Sequence, residues 1–135
     1  MVKHTFFPCD AISLTEKILL AMIVQAQNCA EIQQYLKLLI NHSVVTERHF
    51  TKNCGKYVYF ETGLPENHVA VPESLTQHFV ETSTDDVLFF LYFNENKQKL
   101  NFLEITLIAQ NAENAEYDEE SIAHSVLDKM CFQAA

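Results

Sequence analysis

The run Val87-Leu-Phe-Phe-Leu-Tyr-Phe93 and the run 100–108, on either side of the polar stretch Asn94-Glu-Asn-Lys-Gln98, constrain the fold more than any other feature of the chain. Both are rich in aromatic and branched residues, are too short for a helix of ordinary length, and flank a turn-forming segment, so they predict a β-hairpin. The first run has no polar alternation, which predicts a strand covered on both faces and central in its sheet. In the second, Leu103, Ile105 and Leu107 share one face, and Leu100, Phe102, Glu104, Thr106 and Ile108 share the other.

A different periodicity rules the first third of the chain. Ser13-Leu-Thr-Glu16 reads as a capping box, in which the hydroxyl takes an orphan amide and the glutamate reaches back. Ile18, Leu19, Met22 and Ile23 follow at helical spacing. A second box at Asn28-Cys-Ala-Glu31 precedes the stripe Ile32, Tyr35, Leu36, Leu39 and Ile40. Two helices with a tight break near Gln27-Asn28 are expected, and one kinked helix is the alternative. Residues 1–9 read as an extended arm or a first strand.

Beyond His42 the pattern returns to strands. Residues 44–51 and 56–61 flank the turn-forming Lys52-Asn-Cys-Gly55 and predict another hairpin. Residues 68–71 read as a short third strand ending at Pro72, which cannot donate to a ladder. Pro72 is expected to open a short helical turn carrying Leu75, Phe79 and Val80, and residues 82–86 a polar loop. After the second hairpin come an acidic linker, residues 113–120, and a helix from about Glu119. Ile122, Val126, Leu127 and Met130 form its core stripe, and its acids complement the helix dipole.

Strands joined by tight turns and helices gathered at the ends predict an α+β domain. It has an antiparallel sheet of about five strands, with two N-terminal helices, one short middle helix and one C-terminal helix packed mainly on one face. With 135 residues, 48% of them hydrophobic, and only two glycines and three prolines, residues 1–135 fit one compact domain that needs no metal or disulfide. The longest apolar stretches, 18–24 and 87–93, fall far short of the ~20 residues of a membrane span. The start, Met1 to Pro8, lacks the apolar core of an export signal. A cytoplasmic protein is expected.

Charge narrows the partners. Eighteen acids against nine bases give a formal charge of −9, a poor match for nucleic acid or an anionic membrane and a natural complement to a basic protein surface. The same acidity also serves solubility alone. Cys9, Cys29, Cys54 and Cys131 are widely spaced, with no CxxC pair, and read as free thiols of a reducing compartment.

The chain carries no GxSxG, HExxH or phosphate-binding glycine loop, and no two of its six histidines lie at i, i+4 on a helix. No catalytic residue, cofactor or metal ligand is therefore assigned. Glu47 and His49 share a strand face and read as an acid–base pair or as solvated residues. Cys54, between Lys52 and Lys56, is open to activation as a thiolate beside His49 or His42, or is a plain surface thiol. A loose hairpin tip holds reacting groups poorly. Partner contacts are expected instead on Glu113, Glu116, Asp118, Glu119 and Glu120, with Glu104, Asp85 and Asp86 as lesser contributors. The run 113–120 is alternatively a solvated linker. Glu104, mid-strand among Phe102, Leu103 and Ile105, either pairs with Lys56 or Lys99 or marks a sheet face left open.

Residues 99–109, Lys-Leu-Asn-Phe-Leu-Glu-Ile-Thr-Leu-Ile-Ala, carry a Leu-x-Phe-Leu-Glu-Ile strand after a polar hairpin. This resembles immunity proteins of bacterial contact-dependent growth inhibition systems, over about a third of the chain. The resemblance implies a cytoplasmic, non-enzymatic inhibitor of a cognate basic toxin, typically a nuclease, bound through an acidic face. The element order also resembles the small acidic chaperones of type III secretion, from which it departs in its short middle helix and doubled N-terminal helices. That alternative implies a homodimer, and a Cys/His hydrolase is the enzymatic alternative.

Overall fold

The computed structural model describes residues 11–51, 55–65, 70–84 and 87–108. Its element order is α1 (Leu14–Ala26), α2 (Ala30–Asn41), β1 (Ser43–Thr51), β2 (Gly55–Thr62), β3 (Phe79–Ser83), β4 (Val87–Phe93) and β5 (Leu100–Leu107). The architecture is α+β, with a five-stranded sheet in the order β1-β2-β5-β4-β3, antiparallel at every pairing.

The capping box starts α1 as expected. Ser13 Oγ accepts from the Glu16 amide at 3.2 Å, and Glu16 Oε1 accepts from the Ser13 amide at 2.8 Å. These bonds satisfy donors that the first turn leaves orphaned. The helix ends at Gln27, whose extended backbone stops the run. Its side chain donates to the Ile23 carbonyl, and Gln33 donates to the Gln27 carbonyl, so both sides of the break are tied together.

The second box does not form. The N-cap of α2 is Cys29, one residue past Asn28, and no side chain caps the helix there. A thiol is a weak acceptor, so α2 is held by its buried stripe of Ile32, Tyr35, Leu36 and Leu39 rather than by its start.

Buried residues of both helices and of the strands share one core. Across the strands, Val80, Leu91, Leu103, Val58 and Arg48 lie in one register row. The four apolar members are buried with Leu19, Leu20, Ile23, Leu36 and Leu39 in a single core. Each such Leu or Val contributes roughly 1.5–3 kcal/mol, which is why alternate residues of every strand are committed to this side.

The middle of the chain differs from the sequence expectation. Residues 72–78 form turns and bends with no helix, and Phe79 and Val80 open strand β3 instead. The Leu75 amide donates to the Pro72 carbonyl in a single turn, but the aromatic and branched residues after His78 pair with β4, and that ladder outweighs the helical spacing. Thr82 and Ser83 accordingly belong to β3. Of the expected strand 68–71, Ala70 and Val71 carry no strand, and 68–69 lie outside the described residues, as do the N-terminal arm and the C-terminal helix.

Two further corrections concern the strong hairpin. The central strand is β5; β4 lies second from the edge, and its burial alternates between buried and half-buried positions. Its unbroken apolar sequence thus puts core residues on one face and the side chains of Leu88, Phe90 and Tyr92 on the other. Leu100 is buried with the core, because the register shifts between Tyr92 and Phe93.

Gly55 starts β2 opposite Thr106 of β5. A Cβ there would collide with the Ile105 carbonyl oxygen, so the close approach of the two backbones requires glycine. No helix among the described residues is long and apolar enough to cross a membrane.

Candidate functional site

On the sheet face opposite the helices, two register rows run across all five strands. One is His49, Tyr57, Glu104, Phe90 and Glu81; the other is Glu47, Tyr59, Phe102, Tyr92 and Phe79. A third row of Thr51, Gly55, Thr106, Leu88 and Ser83 lies beside them, and Glu61 follows Tyr59 on the same side. None of these positions is a lysine or arginine. The rings form a continuous surface whose members are half-buried. Tyr92 stacks on Phe102 with centroids 4.4 Å apart, and Phe102 touches both Tyr57 and Tyr59. Phe79 and Phe90 extend the surface to the β3 edge. Offset and edge-on contacts of this kind add roughly 0.5–1.5 kcal/mol each, which keeps the large rings ordered.

Glu104 sits at the centre of this surface. Its Oε2 lies 3.4 Å from the Tyr57 hydroxyl and its Oε1 3.4 Å from the Tyr92 hydroxyl, long for bonds to a carboxylate. Neither expected lysine partner is there. Lys56 pairs with Ile105 in the ladder, so its side chain points to the helix side, and Glu104 is left on the open side. Burial, then the charge of Glu104, raises the Tyr92 phenol above its ordinary value and keeps it a neutral donor. At the β1 edge, His49 Nε2 contacts Glu47 Oε2, with both side chains more than half exposed. The two residues meet as their spacing predicts, on a solvated strand face.

The lysine that the sequence places beside Cys54 is used elsewhere. Lys56 Nζ donates to Glu16 Oε2 at 2.9 Å, inside the protein. Arg48 donates to both oxygens of the same carboxylate, at 2.7 Å and 2.8 Å. Burial alone would raise the Glu16 carboxyl. The bonds from Arg48, the Ser13 amide and Lys56, with the lysine's charge, override it and bring the group down to about 2. Sequence reasoning assigns Glu16 only to the capping box. Its second function as the counter-ion of two cations from β1 and β2 has no local signal, since the partners are 32 and 40 residues away.

Glu113, Glu116, Asp118, Glu119 and Glu120, together with Asp85, Asp86 and Cys54, lie outside the described residues. Of the expected contact residues, Glu104 alone is described. The rings around it were legible as a period-2 pattern in residues 57–61 and 88–92, obscured because both faces of β4 carry apolar side chains.

A second concavity of about 630 Å³ opens between α1, α2 and the start of β1. Leu20, Val24, Ile40 and Val44 line it, with Lys17 and Lys37 as its charged lining. At the start of α2, Cys29 contacts the Ser74 hydroxyl at 3.5 Å, and that bond, with amides of the first turn of α2, lowers the thiol below its ordinary value. Among the described residues, no group of three or more His, Cys, Asp or Glu side chains is placed to hold a metal ion. Comparison of the chain with protein-family models, curated proteins and solved structures gives no match, so its function rests on the geometry of these surfaces.

Proposed function

We propose that this chain is a non-enzymatic, cytoplasmic immunity-type protein that binds and neutralises a cognate basic toxin, a nuclease-type domain, through the aromatic and acidic face of its sheet. The observation that carries the reading is the composition of that face. Glu47, Glu61, Glu81 and Glu104 are set among aromatic rings, with no lysine or arginine at the described paired positions of that face. Aromatic residues supply contact area at low entropic cost, and carboxylates of one sign select a basic partner and speed its encounter. The acids of 113–120, with Asp85 and Asp86, add charge of the same sign and are assigned to the same partner.

The test uses the tagged full chain to capture its partner from the native cell, followed by stopped-flow association with that partner purified. The captured protein is expected to be basic. Its association rate should fall steeply between low and high salt, and Glu47→Gln, Glu81→Gln and Glu104→Gln combined should lower the low-salt rate by about ten-fold. An acidic captured partner, or a rate indifferent to salt, removes the reading.

A further inference from the structure

We infer that Glu104 and the rings beside it form a clamp for an arginine side chain of the partner, with Glu104 and the Tyr92–Phe102 stack as its specificity-determining elements. The inference deepens the proposed function and rests on it, since the arginine is supplied by the basic protein that the face selects.

Three observations converge on this one group. First, the carboxylate is presented with its two oxygens separately flanked: Tyr57 at Oε2 and Tyr92 at Oε1, each at 3.4 Å. Bonds from hydroxyls to a carboxylate ordinarily run about 2.5–2.7 Å. Both oxygens thus retain acceptor capacity toward solvent. Second, a flat aromatic platform adjoins it. Phe102 precedes Glu104 by two residues on the same strand face, and Tyr92 lies over Phe102 with an interplanar angle of 26°. Third, among the described residues no lysine or arginine stands at a paired position of this face. Lys56 is turned to the opposite side and committed to Glu16, as is Arg48.

A guanidinium is the cation whose shape uses all three. It is planar and donates two parallel N–H bonds to the paired oxygens of one carboxylate, while its own face lies against a ring. A lysine ammonium is a compact, strongly hydrated point charge that gains the Coulomb attraction but not the fork geometry or the stacking. The half-buried setting of Glu104 strengthens the distinction, because a partly desolvated site rewards the more weakly hydrated cation. Tyr57 and Tyr92 then act as gateposts, holding the carboxylate in place before the guanidinium arrives.

The experiment titrates the full chain with two probes of equal length and charge, a nonamer of arginine and a nonamer of lysine, followed by tyrosine fluorescence. Both should bind and weaken with salt, with arginine tighter by about ten-fold. Glu104→Gln should bring the two affinities together, and Phe102→Leu, which keeps the carboxylate, should cut the arginine preference severalfold. Far-UV circular dichroism checks that both variants are folded. Equal affinity of the two peptides for the wild-type chain overturns the clamp and leaves the basic-partner reading standing. So does an arginine preference that survives Glu104→Gln, which would place it on other acids. Binding of neither peptide overturns the clamp and the basic-partner reading together.

Discussion

Glu16 and Lys56 form an ion pair at 2.9 Å between the first turn of α1 and the second residue of β2, with both side chains essentially removed from solvent. Arg48 of β1 closes the same carboxylate from the other side. A buried charge is retained only where its partners and hydrogen bonds are complete, and here one carboxylate joins the helix start to two strands. The capping box fixes the carboxylate at the start of α1.

This arrangement makes stability depend on acid. The Glu16 carboxyl ordinarily titrates near 4.5 and is held at about 2 in the folded chain. The unfolded chain therefore takes up the proton first on acidification. The contribution is full above pH 4.5 and is lost as the pH falls toward 2; the displacement corresponds to about 3 kcal/mol. Urea unfolding measured from pH 7 to pH 2 should show this loss, and Glu16→Gln should be less stable at pH 7 by about 3–5 kcal/mol, with a flatter acid limb.

Lys56→Met tests the pair from the other side. Methionine fills a similar volume but leaves Glu16 with Arg48 and the Ser13 amide as partners, and it removes the cation 5.6 Å above the Phe50 ring. The Glu16 carboxyl should rise from its depressed value, and neutral-pH stability should drop by about 3 kcal/mol. Denaturant melts of the variant at pH 7 and pH 3 check both effects, since the stability difference between the two pH values should shrink.

Gly55→Ala should destabilise the sheet by about 3 kcal/mol, because the added methyl meets the Ile105 backbone rather than a movable side chain. Gly63→Ala is the internal control. A Cβ there reaches only ordinary contact with the His42 carbonyl at 3.5 Å, so the change should stay within about 1 kcal/mol. Thermal unfolding of the two variants side by side decides the comparison.

Tyr35→Phe should lower stability by about 1–2 kcal/mol. The Tyr35 hydroxyl donates at 2.6 Å to the carbonyl of Lys97, which sits at φ 61 in the β4–β5 turn. Lys97 Nζ in turn donates to the Leu75 carbonyl at 3.0 Å. Losing the tyrosine bond frees this left-handed residue, and amide exchange should accelerate first in residues 94–99.

Much of the fold was legible in local patterns. The capping box at Ser13, the stripe of α2, the break near Gln27 and both hairpins follow from spacing and residue type, because each is decided by neighbours within a few positions. The misreadings share one cause. Leu75, Phe79 and Val80 have helical spacing, yet the β4 ladder claims the last two; Asn28 is a better cap than Cys29, yet the chain enters α2 one residue later. In both places a contact made elsewhere in the fold overrides a weak local preference. The candidate site was less legible: Glu104 stood out by its strand context, but its ring partners come from three strands.

Alternation and capping chemistry were enough to determine that the described residues make two helices and paired hairpins, since those signals act over one turn or one strand. Register decided the rest. Setting Tyr57, Glu104 and Tyr92 side by side, while sending Lys56 through the sheet to Glu16, depends on which residue of β2 faces which residue of β5. A shift of one position would exchange the two faces. Only the packed sheet, pinned by its buried core, selects that register, and with it the face on which acid and aromatic side chains meet.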